Sequence, residues 1–189
     1  MDKRSSPLDK RMEIRLAGEG GQGMILAGII LAEAAAIYDG KQATQTQSYG
    51  PEARGGASRS EVVIAEGEID HPEVLSADVV VALSQEAYKK FAKTVNADGL
   101  LIVDEDRVKT ADDFTGIKIP IMRIAQETTG RAITANTVAL GVLVGLTNLV
   151  SREAIEKAVT ARAPKGTEEM NHKALQAGFI AAEHVRAAA

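Results

Sequence analysis

The chain contains no cysteine and no tryptophan, and only three Phe, three Tyr and three His among its 189 residues. Without cysteine there can be no disulfide, thiolate nucleophile, cysteine-ligated iron–sulfur cluster or cysteine zinc site within this chain. His71, His172 and His184 lie far apart and form no H-x-x-x-H pair, so a histidine metal site is not expected. Few aromatics are present to stack on bases. The basic residues are scattered and the net charge is -4, so no nucleic-acid surface is expected. The longest uncharged run, residues 132–151, carries Thr134, Asn136, Thr137, Thr147 and Asn148, which suits a buried helix better than a membrane span. Residues 1–11 are polar, include Pro7 and lack an apolar signal-peptide core; they read as a flexible tail before a single domain over 12–189. A cytoplasmic protein with no membrane partner is expected.

The feature that organises the rest is Gly18-Glu19-Gly20-Gly21-Gln22-Gly23, between the apolar Ile14-Arg15-Leu16-Ala17 and an Ala/Ile/Leu-rich segment over 24–37. This reads as a strand, a tight turn and a helix N-terminus, a Rossmann-like start whose backbone amides suit an anion. Gly18, Gly20 and Gly23 also match G-x-G-x-x-G. A dinucleotide site needs, in addition, an acid closing the second strand. The only acid near that spacing is Asp39, which precedes the strand, and Gln45-Thr46-Gln47-Ser48 stand at its end. A stand-alone NAD(P)-binding oxidoreductase is thus the weaker alternative, and no G-x-x-x-x-G-K-[ST] is present for a P-loop enzyme. The glycines could instead serve only helix–strand packing. Four glycines in six residues exceed that need.

Further along, strands are expected over 41–48, 58–65, 77–83, 100–103 and 117–124, the last broken by Pro120 and therefore at an edge. Glu66-Gly67-Glu68 reads as a hairpin turn. Helices are expected over 24–38, 84–93, 137–150, 152–161 and 167–188, with Ser84, Ser151 and Thr167 as caps. The sum is an α/β fold: a mainly parallel sheet flanked by helices, with a hairpin insertion.

A second loop, Tyr49-Gly50-Pro51-Glu52-Ala53-Arg54-Gly55-Gly56, is harder to explain as structure alone. Gly55 and Gly56 permit close approach of backbone, and Arg54 offers a planar fork for a carboxylate, phosphate or carbonyl. Glu52 could be its local partner, and a solvated Glu–Arg pair would be the plainer account.

Taken together, the two loops resemble the gamma subunit of 2-oxoacid:ferredoxin oxidoreductases, in the 2-oxoglutarate or broad 2-oxoacid branch of the pyruvate/ketoisovalerate family. The resemblance rests on Gly18 to Gly23, on the string from Gln47 to Ser58, on Asp104, on Asn136-Thr137 and on Asn171-His172-Lys173-Ala174. It implies oxidative decarboxylation of a 2-oxoacid on thiamine diphosphate, with electrons passed to ferredoxin and the acyl group to coenzyme A. Thiamine diphosphate, its Mg and the 4Fe-4S clusters would be held by alpha, beta and ferredoxin-like delta partners. This chain has neither cysteines nor the Gly-Asp-Gly…Asn-Asn thiamine motif, so it would bind none of them alone. The resemblance places Gly18, Gly20, Gly21, Gln22 and Gly23 near the coenzyme A phosphates, with Tyr49, Gly55, Gly56 and Asn136 as further binding candidates. Arg54 and Glu52 would belong to a loop facing the active site. A purely structural subunit with no ligand of its own is the remaining reading.

Overall fold

A computed structural model describes residues 11–48 and 57–188. Six strands form one sheet in the order β2-β3-β1-β4-β5-β6: β1 (Met12–Glu19), β2 (Gln42–Ser48), β3 (Ala57–Ala65), β4 (Ala77–Ala82), β5 (Val95–Asp104) and β6 (Ile117–Ile119). The pairings β1–β4, β4–β5 and β5–β6 are parallel; β3 runs antiparallel to both β1 and β2. The sheet is therefore mixed, with three of its five pairings parallel.

Alternation along the central strands sorts their side chains between two cores. Ile14, Leu16, Val79, Val81 and Ile102 face the larger one, under α1 (Met24–Glu33), α3 (Ile121–Thr129), α4 (Ala135–Thr147), α5 (Arg152–Arg162) and α6 (Glu168–Ala188). Ala17, Val80, Ala82 and Val103 face the smaller one, covered by Ala87 and Phe91 of α2 (Gln85–Phe91). The continuous Val79-Val80-Val81 run is thus buried on both sides, as a parallel central strand requires. The uncharged 132–151 run contains a buried helix: every residue of α4 from Ala135 to Gly145 is buried. Among the described residues no helix is long and apolar enough to cross a membrane.

Four expectations change. The hairpin turn is not at residues 66–68, because the antiparallel partner of β3 is the preceding strand β2; residues 49–56 lie outside the described residues. Residues 117–124 are not one strand. Pro120 stops β6 after three residues and precedes α3, whose first-turn amides lose nothing to its missing N–H. The first helix changes at Ala34 into a π-helical turn, Ala34–Tyr38. And β5 begins at Val95, five residues before the apolar Leu100 (100 − 95) that signalled it. Ser84 and Ser151 do cap α2 and α5, accepting the amide N–H of Ala87 and of Ala154. The expected tail lies outside the described residues except for Arg11. That guanidinium is fixed by the carbonyls of His71 and Glu73, at 2.6 and 2.9 Å.

Candidate functional site

At the end of β1 the chain turns through Gly20, Gly21, Gln22 and Gly23 into α1. Gly21 (φ 91°) and Gly23 (φ 73°) lie in the left-handed region that glycine tolerates without strain. Gln22 holds the turn shut from inside. Its Oε1 accepts the Glu19 amide at 2.7 Å, and its Nε2 reaches the Leu83 carbonyl at 3.4 Å. Gln22 thereby ties the end of β1 to the end of β4, and its side chain is used within the protein.

The four glycines are not equivalent. A Cβ on Gly18 would overlap Gln22 Oε1, and one on Gly23 would come 2.8 Å from Asn136 Nδ2. At Gly18 and Gly23 the neighbouring side chains fill the space a Cβ would need. Around Gly20 and Gly21 a Cβ would meet no atom within 4 Å. These two positions border open space, and α1 begins beside them with no side-chain cap and no acidic residue in its first turn. Uncapped first-turn amides at a helix N-terminus attract anions. A groove of about 350 Å³ opens here, lined by Gly20, Gly21, Gly23, Met24, Ile25, Leu26, Ile29 and Ser58. A polar rim of amides and hydroxyl over an apolar wall of α1 suits a ligand with an anionic and an apolar part.

Asn136 sits behind the turn rather than in the groove. It is 7% exposed, its Nδ2 faces the Gly23 carbonyl at 3.5 Å, and its Oδ1 accepts the Thr137 amide at 2.9 Å. Thr137 Oγ1 continues to Asn171 Oδ1 at 3.0 Å, so α4 and α6 together brace the turn. The sequence places these residues far apart; tertiary structure makes them one polar chain beneath the glycines.

Strand register brings the two glycine-rich loops to the same place. Glu19 pairs with Ala57 and Gly18 with Ser58, the first residues after the second loop. Ser58 Oγ also donates to the Gly18 carbonyl at 3.2 Å. The second loop thus re-enters the sheet against the first turn. Its own candidates, Tyr49, Glu52, Arg54, Gly55 and Gly56, lie outside the described residues. Sequence reasoning gave Ser58 no role of its own in the first turn, since nothing local signals a bond spanning 40 residues.

Asp104 ends β5 fully buried. Its carboxylate accepts amides of Asp106 and Arg107 on one oxygen and of Met122 on the other, at 3.0, 2.9 and 2.8 Å. Burial raises its pKa, while these N–H donors oppose the rise. Its acceptors are occupied in fixing the β5 exit and the start of α3, so its role is structural. Among the described residues no group of His, Asp and Glu could hold a metal ion.

The dinucleotide alternative fails on geometry. In that fold the second strand lies parallel beside the first and closes on an acid. Here β2 is an edge strand separated from β1 by the antiparallel β3, and it ends in Gln47-Ser48.

Residues 13–181 match the pyruvate ferredoxin/flavodoxin oxidoreductase family. The chain belongs to that family. It is 54% identical to the 2-oxoglutarate synthase subunit KorC of Methanocaldococcus jannaschii, across 93% of this chain and 96% of that one. A solved gamma subunit of a keto/oxoacid ferredoxin oxidoreductase from Geobacter sulfurreducens is 49% identical. It matches with a TM-score of 0.83, covering 93% of this chain and 98% of that one. The ketoisovalerate oxidoreductase subunit VorA of Methanothermobacter thermautotrophicus is 35% identical over 94% of this chain, which spans only 38% of VorA. In this oxidoreductase family the domain therefore occurs both as a separate chain and as part of a longer one.

Proposed function

We propose that the chain is the gamma subunit of a multi-subunit 2-oxoglutarate:ferredoxin oxidoreductase and contributes a binding surface for coenzyme A phosphates. The observation that carries the subunit assignment is near-complete mutual coverage with a 2-oxoglutarate synthase subunit at 54% identity. The complex oxidises and decarboxylates a 2-oxoacid, forms the acyl-CoA and passes electrons to ferredoxin. Thiamine diphosphate supplies the carbanion-stabilising chemistry when bound. The residues of this chain do not fit that group or an iron–sulfur cluster: it has no cysteine, and its described residues offer no metal-ligating cluster. Alpha, beta and delta subunits hold those groups.

This chain's own contribution is binding and positioning. The open edge at Gly20 and Gly21 and the uncapped start of α1 receive a phosphate, and the apolar wall of Ile25, Leu26 and Ile29 flanks its organic part. Asn136 and Gln22 keep the turn in shape. The second loop, with Arg54 and Gly55, contacts the thiamine-bearing subunits close to their active site.

Coenzyme A titration of the assembled complex tests the binding role. Gly20→Val fills open space and Gly21→Val imposes a side chain on a positive φ, so each is expected to weaken coenzyme A binding roughly tenfold, about 1.4 kcal/mol. Unchanged affinity in both variants would remove the phosphate role while leaving the subunit assignment in place. Arg54→Ala is expected to weaken assembly or turnover, read by co-elution and by acyl-CoA formation.

A further inference from the structure

Three cations converge on one aromatic ring, on the face of the sheet opposite α1. Phe91, the last residue of α2, is buried in the smaller core. The guanidinium carbons of Arg15 and Arg59 each lie 5.7 Å from its centroid, and Lys90 Nζ lies at 5.5 Å. A ring face attracts cations but offers no conventional acceptor for all their N–H groups. Among the described residues one carboxylate, that of Glu61, forms ion pairs with the cluster. Three positive charges against one negative leave +2 here, in a chain whose net charge is -4.

The three are satisfied unequally. Arg15 is fully engaged: its Nε and Nη2 lie 2.7 and 2.6 Å from Glu61 Oε1, its cross-strand neighbour. Its Nη1 donates to Thr94 Oγ1 and its Nη2 to the Val74 carbonyl at 3.4 Å. Lys90 is exposed at the C-terminal end of α2, where the helix dipole favours a cation. Arg59 has neither arrangement. Its Nε is enclosed yet donates to no acceptor, and Glu61 Oε2 stands 3.7 Å away, beyond hydrogen-bond reach. The side chain as a whole is 37% exposed, which leaves its terminal nitrogens open to the outside. Glu19 lies two residues beyond Ala17, the strand partner of Arg59, and forms no ion pair with it among the described residues. A guanidinium largely withdrawn from water with its donors unused calls for an acceptor from outside the chain.

We infer that Arg59, with Lys90 beside it, is a second anion site of this chain and takes a phosphate group. The uncompensated +2 matches a phosphate, which carries about −1.5 to −2 at neutral pH. The planar fork of Arg59 suits two of its oxygens at once, and Lys90 adds a mobile point charge. The site is separate from the groove at Gly20 and Gly21. Ser58 lines that groove and Ser60 packs against Gly28 of α1, so Arg59, between them on β3, turns to the α2 side. The inference therefore does not depend on the coenzyme A reading.

The test is titration of inorganic phosphate into the full chain labelled with nitrogen-15, with ionic strength held constant by sodium chloride. The Arg59 side-chain N–H and the Phe91 backbone amide are expected to shift together and to saturate. Read at Phe91, Arg59→Gln should weaken phosphate binding roughly tenfold and Lys90→Gln roughly threefold, with the wild-type circular-dichroism spectrum kept. Arg59→Lys, which keeps the charge and loses the fork, should fall between wild type and Arg59→Gln. Gly20→Val should leave the response at Phe91 as in wild type, because the groove is on the other face. No saturation in the wild-type chain, or unchanged binding in both Arg59→Gln and Lys90→Gln, would overturn the inference and leave the function standing. Acetate saturating the same resonances at lower concentration than phosphate would also overturn it, since the ligand group would then be a carboxylate. So would a shift of the Arg59 side-chain N–H in Glu19→Gln as large as that caused by phosphate, which would place the acceptor within the chain.

Discussion

At Gly178 of α6 an added Cβ would overlap the Val138 carbonyl and stand 2.8 Å from Gly141 Cα. At Gly141 of α4 it would meet the Leu175 carbonyl in the same way. The two helices cross backbone to backbone, and neither backbone can yield without opening the larger core. Gly178→Ala is therefore expected to cost about 1–3 kcal/mol and lower Tm by several degrees in thermal unfolding. Gly20→Ala, with nothing within 4 Å of the new methyl, should leave Tm within a degree or two of wild type. Sequence alone treats all these glycines alike. It records that a side chain is absent, whereas the reason for the absence lies in a neighbour more than 30 residues away at Gly178 and in open space at Gly20.

Between elements, Glu33 and Arg162 clamp α1 to the end of α5 through a forked contact. Hydrogen bonding to Arg162 lowers the Glu33 pKa, with the charge of the guanidinium adding to the effect and partial burial opposing it. A carboxyl whose pKa is depressed by folding stabilises the protein fully above its unfolded value and loses that contribution as the pH falls through the folded one. Wild-type Tm is accordingly expected to drop more steeply than that of Glu33→Gln as the pH is taken below about 4.3. Both side chains are partly exposed, so the difference should be small and should shrink in high salt. Most elements were legible from apolar period and capping residues, as with β4 and with the Ser84 and Ser151 caps. Helix α3 was not. Ile121, Met122 and Ile124 follow the β6 pattern closely, and only the burial of Ile121 and Ala125, four apart, reveals the helical period. The π turn was equally hidden, because Ile37 and Tyr38 continue an apolar run that a plain α-helix would have buried.

For the whole molecule, six strands order themselves so that Ala57 and Ser58, which follow the second glycine loop, pair with the end of β1 where the first glycine turn begins. Sequence determined the local chemistry by itself. The turn glycines suited an anion, the absent cysteines excluded a cysteine-ligated cluster, the missing acid after β2 disfavoured a nicotinamide site, and the Gln47-to-Ser58 string carried a resemblance to a partner-dependent oxidoreductase subunit. These are properties of residue types and short spacings, fixed before any folding. Tertiary structure decided what depends on distant pairing. It turned the hairpin into β2–β3, placed Ser58 and Asn136 around the first turn, and divided the turn glycines into two that pack and two that face open space. It also ended the first helix in a π-helical turn that leaves Ile37 exposed. Those outcomes follow from register and from which helix covers which strand, and hydrophobic burial sets both only when the whole chain is in place.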